Sequence, residues 1–415
     1  MGDLAGSMPG GDTRTSTYFT PFPIVVDRGD GYTIEDADGN EYIDLLNNFT
    51  SLVHGHAHPG ITDAIARQVA TGTCFSAPHR TQGALAERIS DRIRSVESVR
   101  FTNSGTEAAM QAVRAARAIT GRDLIVKARG GYHGSWEQVP TTPDDDLGTP
   151  AAVKALIQWV DFNDVAGLES VMSEYGSDIA AIVLEPVMGA GGVIKGTPEF
   201  FQAARRLSTA HGALMVVDEV ITFRLTQGGY QEVLGIEPDL TVMGKVIGGG
   251  LPVGAIGGPS EVMDIFDPRK PSHLYHGGTF NGNPLTMVAG SASLDLLDSQ
   301  QIDHINTLGE QVAKGLNDVL AGSELLGNVT YAGSLFQVHM GAEAAISSFA
   351  DVDLAHPLLA RLHTAGLEEG LYFARRGLAC LSTVMTADVA VDIVERFARA
   401  VERVVETSDI EHAVS

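Results

Sequence analysis

Residues 213–220 read ALMVVDEV, and residues 239–245 read DLTVMGK. Each stretch contains an apolar run of strand length that ends close to a charged residue, Asp218 in the first and Lys245 in the second. In an open sheet of parallel strands, the carboxyl ends of the strands meet at one edge, and ligands bind outside that edge. The two stretches therefore predict a carboxylate and an amine at the ligand-binding edge of a sheet.

The middle of the chain repeats this alternation of apolar runs with amphipathic segments. The strand-like runs are Leu124–Ala128, Ile179–Leu184, Ala213–Val217 and Leu240–Met243. Helical spacing covers Asn163–Glu174 and Pro198–His211. Strands that alternate with helices are typical of parallel sheets buried on both faces. We therefore expect an α/β fold with a large, mainly parallel sheet and helices on both faces.

The two ends of the chain have a different pattern. Tyr32–Asp44 reads YTIEDADGNEYID, in which two alternating runs flank Asp38-Gly39 and predict a hairpin. Towards the C-terminus, a long helix, a group of strands and a final helix are predicted at Ile302–Leu320, Val329–Met340 and Ala387–Val404. We expect a smaller α+β domain there. The predicted division is an N-terminal segment that joins the small domain, a large domain and the small domain itself, at residues 1–65, 66–300 and 301–415.

The chain carries a strong excess of negative charge. Its 415 residues include 52 acidic and 28 basic side chains, which gives a formal net charge of −24. A nucleic-acid partner is disfavoured because binding phosphates requires clustered Lys and Arg. No apolar run reaches the roughly 18–20 residues that span a bilayer, so we expect no membrane segment. Cys74 and Cys380 are the only cysteines, too few for a disulfide framework, which favours a cytoplasmic protein.

Lys245 has the sequence context of a chemically active amine. It directly follows an apolar strand, where its side chain has little room to extend to solvent, and Gly248-Gly249-Gly250 comes soon after it. Such a lysine is either buried in an ion pair with a carboxylate or takes part in catalysis. A desolvated lysine can act as a nucleophile and form a Schiff base with a carbonyl.

An anion-binding pattern lies upstream, at Asn103–Glu107. An amphipathic helical pattern follows it, and Ser104-x-x-Glu107 has the form of a capping box. Gly105 lets the backbone approach a ligand, so N–H groups and two hydroxyls converge at a helix N-terminus, which suits a phosphate. A simple helix cap is the alternative interpretation.

Together, Asp218, Lys245 and a phosphate site match the needs of pyridoxal 5′-phosphate. A lysine holds this cofactor covalently, and a carboxylate keeps its pyridine nitrogen protonated so that the ring accepts electrons. The third requirement is an anchor for the phosphate. The sequence therefore predicts pyridoxal 5′-phosphate as the cofactor.

Several short motifs occur in a distinctive order between about Pro9 and Val404. They are Gly55-His-Ala-His-Pro59, Asn103–Glu107, Gly131-Tyr-His-Gly134, Glu185-Pro186, Asp218-Glu219-Val220, Asp239–Gly250 and Gly278–Pro284. In this order they resemble the motifs of class III aminotransferases. The resemblance implies fold type I of the pyridoxal-phosphate-dependent transferases. It also implies an enzyme that moves an amino group between an amino donor and a keto acid.

The resemblance implies how the coenzyme is held. Lys245 would be the Schiff-base lysine and would also move a proton between the substrate and the coenzyme, while Asp218 would pair with the pyridinium nitrogen. Tyr132 would cover one face of the coenzyme ring, and Val220 would pack on the other. The phosphate would be bound by Ser104, Gly105 and Thr106.

Three further residues have implied positions near the coenzyme. Glu185 resembles the family glutamate with a supporting role. His133 could serve as a second base, although family precedent makes it structural. Thr279 resembles the threonine that reaches the coenzyme phosphate of the neighbouring subunit. The resemblance therefore implies a homodimer with shared active sites.

Three histidines alternate at His54, His56 and His58. On a strand they could line one face and bind a metal ion. The resemblance favours instead a structural turn before a helix that starts at Pro59. We therefore expect no metal site.

The N-terminal segment bears on the substrate. Pro9–Arg14, followed by Pro21-Phe22-Pro23, resembles the branch that contains glutamate-1-semialdehyde aminomutase and the β-amino-acid aminotransferases. The aminomutase pattern has an arginine at the position of Thr17, whereas Arg14 follows the form of aromatic β-amino-acid aminotransferases, in which it holds the substrate carboxylate. A second carboxylate-binding arginine is implied near the C-terminus, at Arg375 or Arg376, of which we prefer Arg376. Both sites could instead be surface charges.

These residues predict ping-pong transfer of an amino group from a β-amino acid to 2-oxoglutarate or pyruvate. An aromatic or aliphatic side chain on the donor is expected. Two arginines at opposite ends of a pocket could bind the carboxylates of two different substrates. The alternatives are an amine:pyruvate transaminase for larger amines without a carboxylate, the aminomutase itself, and a protein of this fold without turnover.

Overall fold

The structure is a computed structural model that describes residues 6–20, 23–144, 147–342 and 345–414, with side chains up to residue 407. Pro21 and Phe22 of the N-terminal motif therefore lie outside the described residues. The chain divides into two compact units. Unit 1 consists of Met1–His58, His304–Ile346 and Asp351–Ser415, and unit 2 consists of Pro59–Asp303 and Ser347–Ala350. The division into functional domains at residues 65 and 300 stays a prediction.

The strands are short and are distributed along the whole chain. They are β1 (Val26–Asp30), β2 (Thr33–Asp36), β3 (Glu41–Asp44), β4 (Ser98–Thr102), β5 (Leu124–Ala128), β6 (Ile157–Val160), β7 (Ile179–Leu184), β8 (Val187–Met188), β9 (Ile194–Lys195), β10 (Leu214–Asp218), β11 (Leu240–Gly244), β12 (Gly254–Gly258), β13 (Gly327–Ala332), β14 (Leu335–Met340), β15 (Leu371–Tyr372) and β16 (Leu378–Cys380).

The right-handed α-helices connect these strands. They are α1 (Pro59–Val69), α2 (Arg80–Arg92), α3 (Gly105–Thr120), α4 (Ala151–Lys154), α5 (Val165–Tyr175), α6 (Pro198–His211), α7 (Gln231–Leu234), α8 (Ser260–Met263), α9 (Pro284–Leu296), α10 (Ser299–Ala321), α11 (Pro357–Glu368) and α12 (Ala387–Val414). Within the described residues, none of the helices combines the length and the apolar character needed to cross a membrane.

Unit 2 is built on a seven-stranded sheet with the order β4-β12-β11-β10-β7-β5-β6. The neighbouring pairs from β11 to β6 are parallel, whereas β12 pairs antiparallel with both β11 and β4. The strands predicted from the apolar runs all belong to the parallel part. The α/β fold with a mainly parallel sheet is therefore confirmed.

Burial explains why the central strands of the seven-stranded sheet read as continuous apolar runs. Every residue of β7 and of β11 is buried. Helix α3 packs on the sheet with a row of small side chains, all at most 2% exposed: Ala108, Ala109, Ala112, Ala115 and Ala116. Small side chains let a helix approach a sheet closely. The start of α3 consequently lies beside the ends of the central strands.

Unit 1 contains two smaller sheets, with the orders β1-β2-β3-β15 and β13-β14-β16. The predicted hairpin is confirmed, since Thr33 of β2 lies opposite Ile43 of β3. Gly39 in the connecting turn has a φ of 84°, which favours glycine. Strand β15 runs parallel to β3 with Leu371 opposite Ile43. A strand from the C-terminal part of the chain thus completes the N-terminal sheet.

Helix ends follow local sequence signals. Helix α6 begins at Pro198, and its capping residue Thr197 accepts a hydrogen bond from the N–H of Phe200 at 3.3 Å. Helix α12 continues to Val414, beyond the predicted end at Val404. The predicted end was therefore too early. The helix continues because no Gly or Pro lies between these two residues to end it.

Candidate active site

Asp218 and Lys245 lie at the same edge of the seven-stranded sheet. Asp218 is the last residue of β10 and is in register with Val242 of the parallel neighbour β11. Lys245 follows β11 directly and begins a short 3₁₀ turn. Its φ of 49° lies in the left-handed region, which costs a non-glycine residue about 1–3 kcal/mol. Backbone strain of this kind is concentrated at functional sites.

The predicted anion site lies at the N-terminus of α3. The hydroxyl of Ser104 accepts a hydrogen bond from the N–H of Glu107 at 3.1 Å, and Glu107 Oε2 accepts one from the N–H of Asn103 at 2.8 Å. These bonds resemble a capping box, except that the Glu107 carboxylate accepts from the N–H of Asn103 and not from the N–H of the capping residue Ser104. The cap uses the N–H of Glu107, so the N–H groups of Gly105 and Thr106 lie at the open end of the helix.

Val220 leaves little room for a side chain at the start of α3. A Cβ atom placed on Gly105 would lie 3.0 Å from Val220 Cγ2, and one placed on Gly244 would lie 3.4 Å from Val220 Cγ1. A side chain at position 105 would therefore crowd Val220, and this side chain or the start of α3 would have to shift by a few tenths of an ångström. Glycine allows the anion site and the strand-terminal carboxylate to stay close together.

His133 holds the carboxylate of Asp218. Its Nδ1 lies 2.9 Å from Asp218 Oδ2, while Asp218 Oδ1 accepts the N–H of Val220 at 3.0 Å. Both side chains are at most 5% exposed. The imidazole thus fixes the orientation of the Asp218 carboxylate through Nδ1, while Nε2 is buried and remains without a hydrogen-bond partner among the described residues.

Glu185 fixes the loop that carries Tyr132. Its Oε1 accepts the N–H of Tyr132 at 2.8 Å, and its Oε2 accepts the N–H of Gly189 at 3.1 Å. Burial raises the pKa of Glu185, whereas the nearby His133 and the two N–H donors act in the opposite direction. The carboxyl group therefore supports the backbone beneath the Tyr132 ring.

The loop of Tyr132 lies over the start of α3. The ring is 41% exposed, and its hydroxyl lies 3.1 Å from Ser135 Oγ. Gly134 has a φ of 99°, and a Cβ atom there would lie 2.5 Å from Thr106 Oγ1. Only glycine fits this contact. The structure thus brings Tyr132, the anion site, Asp218 and His133 together in unit 2.

A buried lysine that the motifs did not single out holds the base of this loop. Lys127 in β5 is fully buried, and its ammonium group donates to the carbonyl of Gly131 at 2.9 Å and to that of Pro140. It also lies 4.9 Å from the centre of the Trp159 ring. The signal in the sequence was a lysine inside an apolar strand, because lysine is almost never fully buried unless its charge is satisfied.

Thr279 lies in an exposed loop that is tied to the anion site. Asn281 Oδ1 in this loop accepts a hydrogen bond from Asn103 Nδ2 at 2.8 Å. Thr279 itself is exposed, and so are Tyr275 and Phe280, at 76% and 59%. The loop therefore presents apolar rings and a hydroxyl at the surface of unit 2.

In unit 1, two of the predicted arginines meet one aromatic ring. The guanidinium carbon atoms of Arg14 and Arg376 each lie 5.9 Å from the centre of the Phe49 ring. Arg14 Nη1 also donates to Asn48 Oδ1 at 2.8 Å. Asn48 and Phe49 lie in the stretch Asn47–Val53, which the sequence indicates as a pocket-lining loop, but no motif assigns a role to either of them. Phe49 lies next to both arginines and Asn48 lies next to Arg14, and these positions follow from the fold and not from a motif.

Asn48 and Phe49 belong to an unusual left-handed turn. All four residues of Asn47–Thr50 have a positive φ, between 48° and 74°, and none is glycine. The left-handed conformation costs L-residues roughly 1–2 kcal/mol each. The packing around the turn must therefore offset several kcal/mol.

Arg375 lies elsewhere in unit 1. It lines a cavity of about 320 Å³ together with Phe19 and His363. Burial lowers the pKa of His363 to about 4. Of the two neighbouring arginines, Arg376 is therefore the one that shares a ring with Arg14.

The three alternating histidines do not converge on one point, although the rings of His54 and His58 are neighbours with centres 5.6 Å apart. His56 Nε2 lies 2.7 Å from Asp44 Oδ2, and His54 Nδ1 lies 2.9 Å from Thr383 Oγ1. In the described ranges, no group of three or more His, Cys, Asp or Glu side chains could hold a metal ion. His56 and His54 instead support the turn that precedes α1.

The family model of the class III aminotransferases matches residues 15–403. The chain belongs to this family. Class III aminotransferases use pyridoxal 5′-phosphate, so the protein is a pyridoxal-phosphate-dependent enzyme that takes an amino donor and a keto acid. The family, the fold type and the cofactor predicted from the motifs are confirmed.

Three relatives illustrate the range of similar enzymes. An omega-transaminase from Sphaerobacter thermophilus is 40% identical with a TM-score of 0.93, over 97% of this chain and 96% of the other. A β-phenylalanine aminotransferase from Variovorax paradoxus is 36% identical with a TM-score of 0.89, over 96% and 91%. A glutamate-1-semialdehyde 2,1-aminomutase from Thermoplasma volcanium is 38% identical, over 81% and 82% of the two chains. These relatives of similar identity have names that denote different reactions, so the family alone does not fix the amino donor of this class III aminotransferase.

Proposed function

We propose that this aminotransferase moves the amino group of a β-amino acid to 2-oxoglutarate or pyruvate in a ping-pong reaction. The donor would have an aromatic or aliphatic side chain. The observation that carries the proposal is the pair of guanidinium groups, from Arg14 and Arg376, at the ring of Phe49. A donor with a carboxylate needs such a cation, whereas a simple amine does not.

The residues of unit 2 fit the coenzyme. The open end of α3 offers N–H groups and two hydroxyls to a phosphate. The buried carboxylate of Asp218 would keep a pyridine nitrogen protonated, and Lys245 would bind the coenzyme covalently. When bound, the coenzyme serves as an electron sink for the carbon that loses a proton. The remaining proposed coenzyme contacts are Ser104, Gly105, Thr106, Tyr132, His133, Glu185, Val220 and Thr279.

The side chains of the enzyme have separate tasks in this proposal. Lys245 Nζ would take the proton from the donor carbon that bears the amino group and hold it for the next transfer. His133 would keep the Asp218 carboxylate oriented through its Nδ1 atom. Tyr132 would shield one side of the reaction from water, on a backbone that Glu185 holds.

Two arginines suit two substrates of different shape. A β-amino acid has its carboxylate one carbon further from the reacting carbon than an α-keto acid has. A guanidinium group can bind a carboxylate through two parallel hydrogen bonds, and two such groups can serve two positions. Arg14 would bind the carboxylate of the donor, and Arg376 would bind that of the keto acid.

The half-reaction of the holoenzyme without keto acid tests the proposal. β-Phenylalanine, 1-phenylethylamine and β-alanine are added separately, and the visible absorption of the bound coenzyme is followed. We expect β-phenylalanine to remove the visible band. Arg14→Ala should slow this reaction about 10- to 100-fold because it removes hydrogen bonds to a charged group. Arg375→Ala is the matched control, and it should react like the wild type. The proposal is wrong if no β-amino acid reacts.

An amine transaminase is the second candidate, because the omega-transaminase of Sphaerobacter thermophilus is among the similar structures. In that case 1-phenylethylamine would react faster than β-phenylalanine. Replacing Arg14 would then leave the preferred reaction unchanged.

The aminomutase is a third candidate, because curated relatives carry that name. Thr17 stands where the aminomutase pattern has an arginine, and its hydroxyl donates to the carbonyl of Arg14 at 2.7 Å. No guanidinium group is therefore supplied from position 17. Isomerisation of glutamate-1-semialdehyde without added keto acid would favour this candidate.

We also propose a homodimer in which Thr279 of one subunit contacts the coenzyme phosphate of the other. The exposed rings of Tyr275 and Phe280 beside Thr279 support an interface, since large exposed apolar patches usually mark interaction sites. A cytoplasmic location likewise stays a prediction from cysteine use.

Complementation tests the shared site. Lys245→Ala and Thr279→Ala subunits are co-expressed with different tags, and the mixed dimer is purified. If the sites are shared, one active site of the mixed dimer combines Lys245 from the Thr279→Ala subunit with Thr279 from the Lys245→Ala subunit. That site has both wild-type residues, so activity returns. If each site used residues of one subunit alone, the mixed dimer would be no more active than the two parents.

A further inference from the structure

The left-handed turn Asn47–Thr50 is built by its surroundings. Asp44 Oδ1 accepts the N–H groups of Leu46 and Asn47, both at 2.8 Å. The amide of Asn47 donates to the carbonyls of Asp44 and Cys380 at 3.0 and 3.1 Å. The other oxygen of Asp44 is held by His56 at 2.7 Å. A strained segment persists only when its neighbours dictate it, and here they do so through a buried carboxylate.

The turn presents Asn48 in one orientation. Asn48 Nδ2 donates to Ser51 Oγ at 3.1 Å, while the hydroxyl of Ser51 donates to the carbonyl of Asn48 at 3.0 Å. The position of Nδ2 leaves Oδ1 on the side of Arg14, whose Nη1 donates to it at 2.8 Å. Ser51 thereby decides which end of the amide meets the arginine.

The next residue of the turn gives Arg14 a second contact. The Phe49 ring lies 5.9 Å from the guanidinium carbon of Arg14. It lies at the same distance from that of Arg376. Aromatic faces attract guanidinium groups and restrict the rotamers of long, flexible arginine side chains.

The chemistry of the two contacts leaves Arg14 able to bind an anion. Asn48 is neutral, so it orients one N–H group without cancelling the positive charge. Arginine has five N–H donors, and Asn48 occupies one of them. Further N–H donors therefore stay available for a carboxylate. For the acidic neighbour Asp12, the hydrogen bond from Thr17 lowers the pKa most, and the attraction of the Arg14 guanidinium is only one of several smaller effects. An acidic residue in place of Asn48 would compete with that carboxylate.

We propose that Asn48 and Phe49 are positioning residues that select a carboxylate-bearing amino donor by holding Arg14. The selection is set by the backbone of the turn, which presents both side chains to the same guanidinium group. This inference rests on the proposed carboxylate-binding function of Arg14. It adds that Arg14 binds well only because the turn orders it beforehand.

Binding of 3-phenylpropanoate to the holoenzyme tests the inference without turnover. This probe has the carboxylate and ring of β-phenylalanine but no amino group, and its dissociation constant is measured by calorimetry. We expect Asn48→Ala and Phe49→Leu each to weaken binding about 10-fold, as expected for one lost contact to a charged group. Asn48→Asp should weaken binding at least as much, because its carboxylate pairs with Arg14.

The half-reaction supplies a second readout. The ratio of half-saturation concentrations for 1-phenylethylamine and β-phenylalanine should fall about 10-fold in Asn48→Ala, since the substitution weakens only the donor that has a carboxylate. A general loss of structure would move both donors together. Asn163→Ala is the matched control because Asn163 is another left-handed asparagine, with a φ of 68°, in unit 2. It should bind 3-phenylpropanoate like the wild type.

Arg14→Ala separates the inference from the function on which it rests. If Arg14→Ala binds 3-phenylpropanoate as the wild type does, the proposed carboxylate site is wrong and the inference fails with it. If Arg14→Ala weakens binding while Asn48→Ala and Phe49→Leu do not, the inference alone is overturned. Should Asn48→Ala not fold, Phe49→Leu and Asn48→Asp decide in the same way.

Discussion

Lys245 follows a buried strand and has a left-handed backbone, two features that single it out at the scale of one residue. Lys245→Ala should lose the covalent hold on the coenzyme and the proton carrier. Amino transfer should therefore fall by at least about 10²–10⁴-fold, as expected for loss of a positioned acid–base group. Dialysis followed by an absorption spectrum and a half-reaction measures both effects.

The control for this prediction is Lys314→Ala, which replaces an exposed lysine of α10. It should keep both the coenzyme and the rate of the wild type. Retention of full activity by Lys245→Ala would contradict the proposed role of Lys245.

Glu219 gives the stability of the protein a pH dependence. The side chain is fully buried and accepts the N–H groups of Tyr230 and Gln231 at 3.0 and 2.8 Å, and burial raises its pKa to about 7. Between pH 4.5 and 7 the folded protein keeps a proton that the unfolded chain releases. The free energy of unfolding contributed by Glu219 therefore falls as the pH rises, by about 3 kcal/mol in all.

Urea unfolding of the wild type and of Glu219→Gln from pH 5 to pH 8 tests this sign. The stability of the wild type relative to the variant should fall through this window, whatever constant offset the lost hydrogen bonds add. Glu199→Gln, at an exposed position of α6, should show a flat difference. A flat difference for Glu219→Gln as well would show that the burial of Glu219 does not control the titration.

Single residues also show what a sequence can reveal of a site. Asp218 and Lys245 were predictable because a charge directly after an apolar run is a local signal. The contact between His133 and Asp218 joins distant parts of the chain, so no spacing rule contains it. The turn at Asn47–Thr50 was not predictable, because asparagine tolerates a positive φ but Phe49 and the β-branched Thr50 disfavour it.

At the scale of elements, α3 depends on the absence of a side chain at its first residue. Gly105→Ala would place a Cβ atom 3.0 Å from Val220 Cγ2, a crowded contact that is relieved by a shift of the Val220 side chain or of the start of α3. We expect weaker binding of pyridoxal 5′-phosphate, because the N–H groups at the helix end would no longer meet the phosphate in the same geometry. Equilibrium dialysis of the apoenzyme with the coenzyme measures the dissociation constant.

Gly83→Ala is the matched control in another helix. A Cβ atom at Gly83 in α2 meets no atom within 4 Å. Alanine there should stabilise the protein by about 0.5–1 kcal/mol through its higher helix propensity, and coenzyme affinity should not change. Equal coenzyme affinity in Gly105→Ala and in the wild type would show that a Cβ atom at position 105 does not disturb the N–H groups at the start of α3.

Strand β12 illustrates why some elements escape sequence analysis. It reads GAIGG, a composition that is depleted in strands, yet it pairs between β11 and β4. A Cβ atom on Gly257 would lie 2.5 Å from Val96 Cγ1. Tertiary packing, and not propensity, therefore requires glycine there. Four of the five parallel strands, by contrast, were predicted, because burial on both faces gives unbroken apolar runs. Strand β6 was missed because it reads IQWV, in which Gln158 interrupts the apolar run.

At the scale of the whole molecule, a net charge of −24 implies self-repulsion in the folded state. The screening length shortens from about 30 Å at 0.01 M salt to about 8 Å at 0.15 M. The midpoint of thermal unfolding should therefore rise by roughly a few degrees over this range. Scanning calorimetry in NaCl and in KCl should give the same rise. A rise with one salt only would indicate binding of a specific ion instead.

The pairing of β3 with β15 has a consequence for the order in which the protein folds during its synthesis. More than 300 residues separate these two strands, which takes about 15–60 s at a translation rate of about 5–20 residues per second. Throughout that interval the N-terminal hairpin keeps an unpaired edge, which can pair with other nascent chains. The turn at Asn47–Thr50 also waits, because Asn47 donates to the carbonyl of Cys380. The residues proposed to choose the amino donor are thus among the last to be ordered as the chain leaves the ribosome.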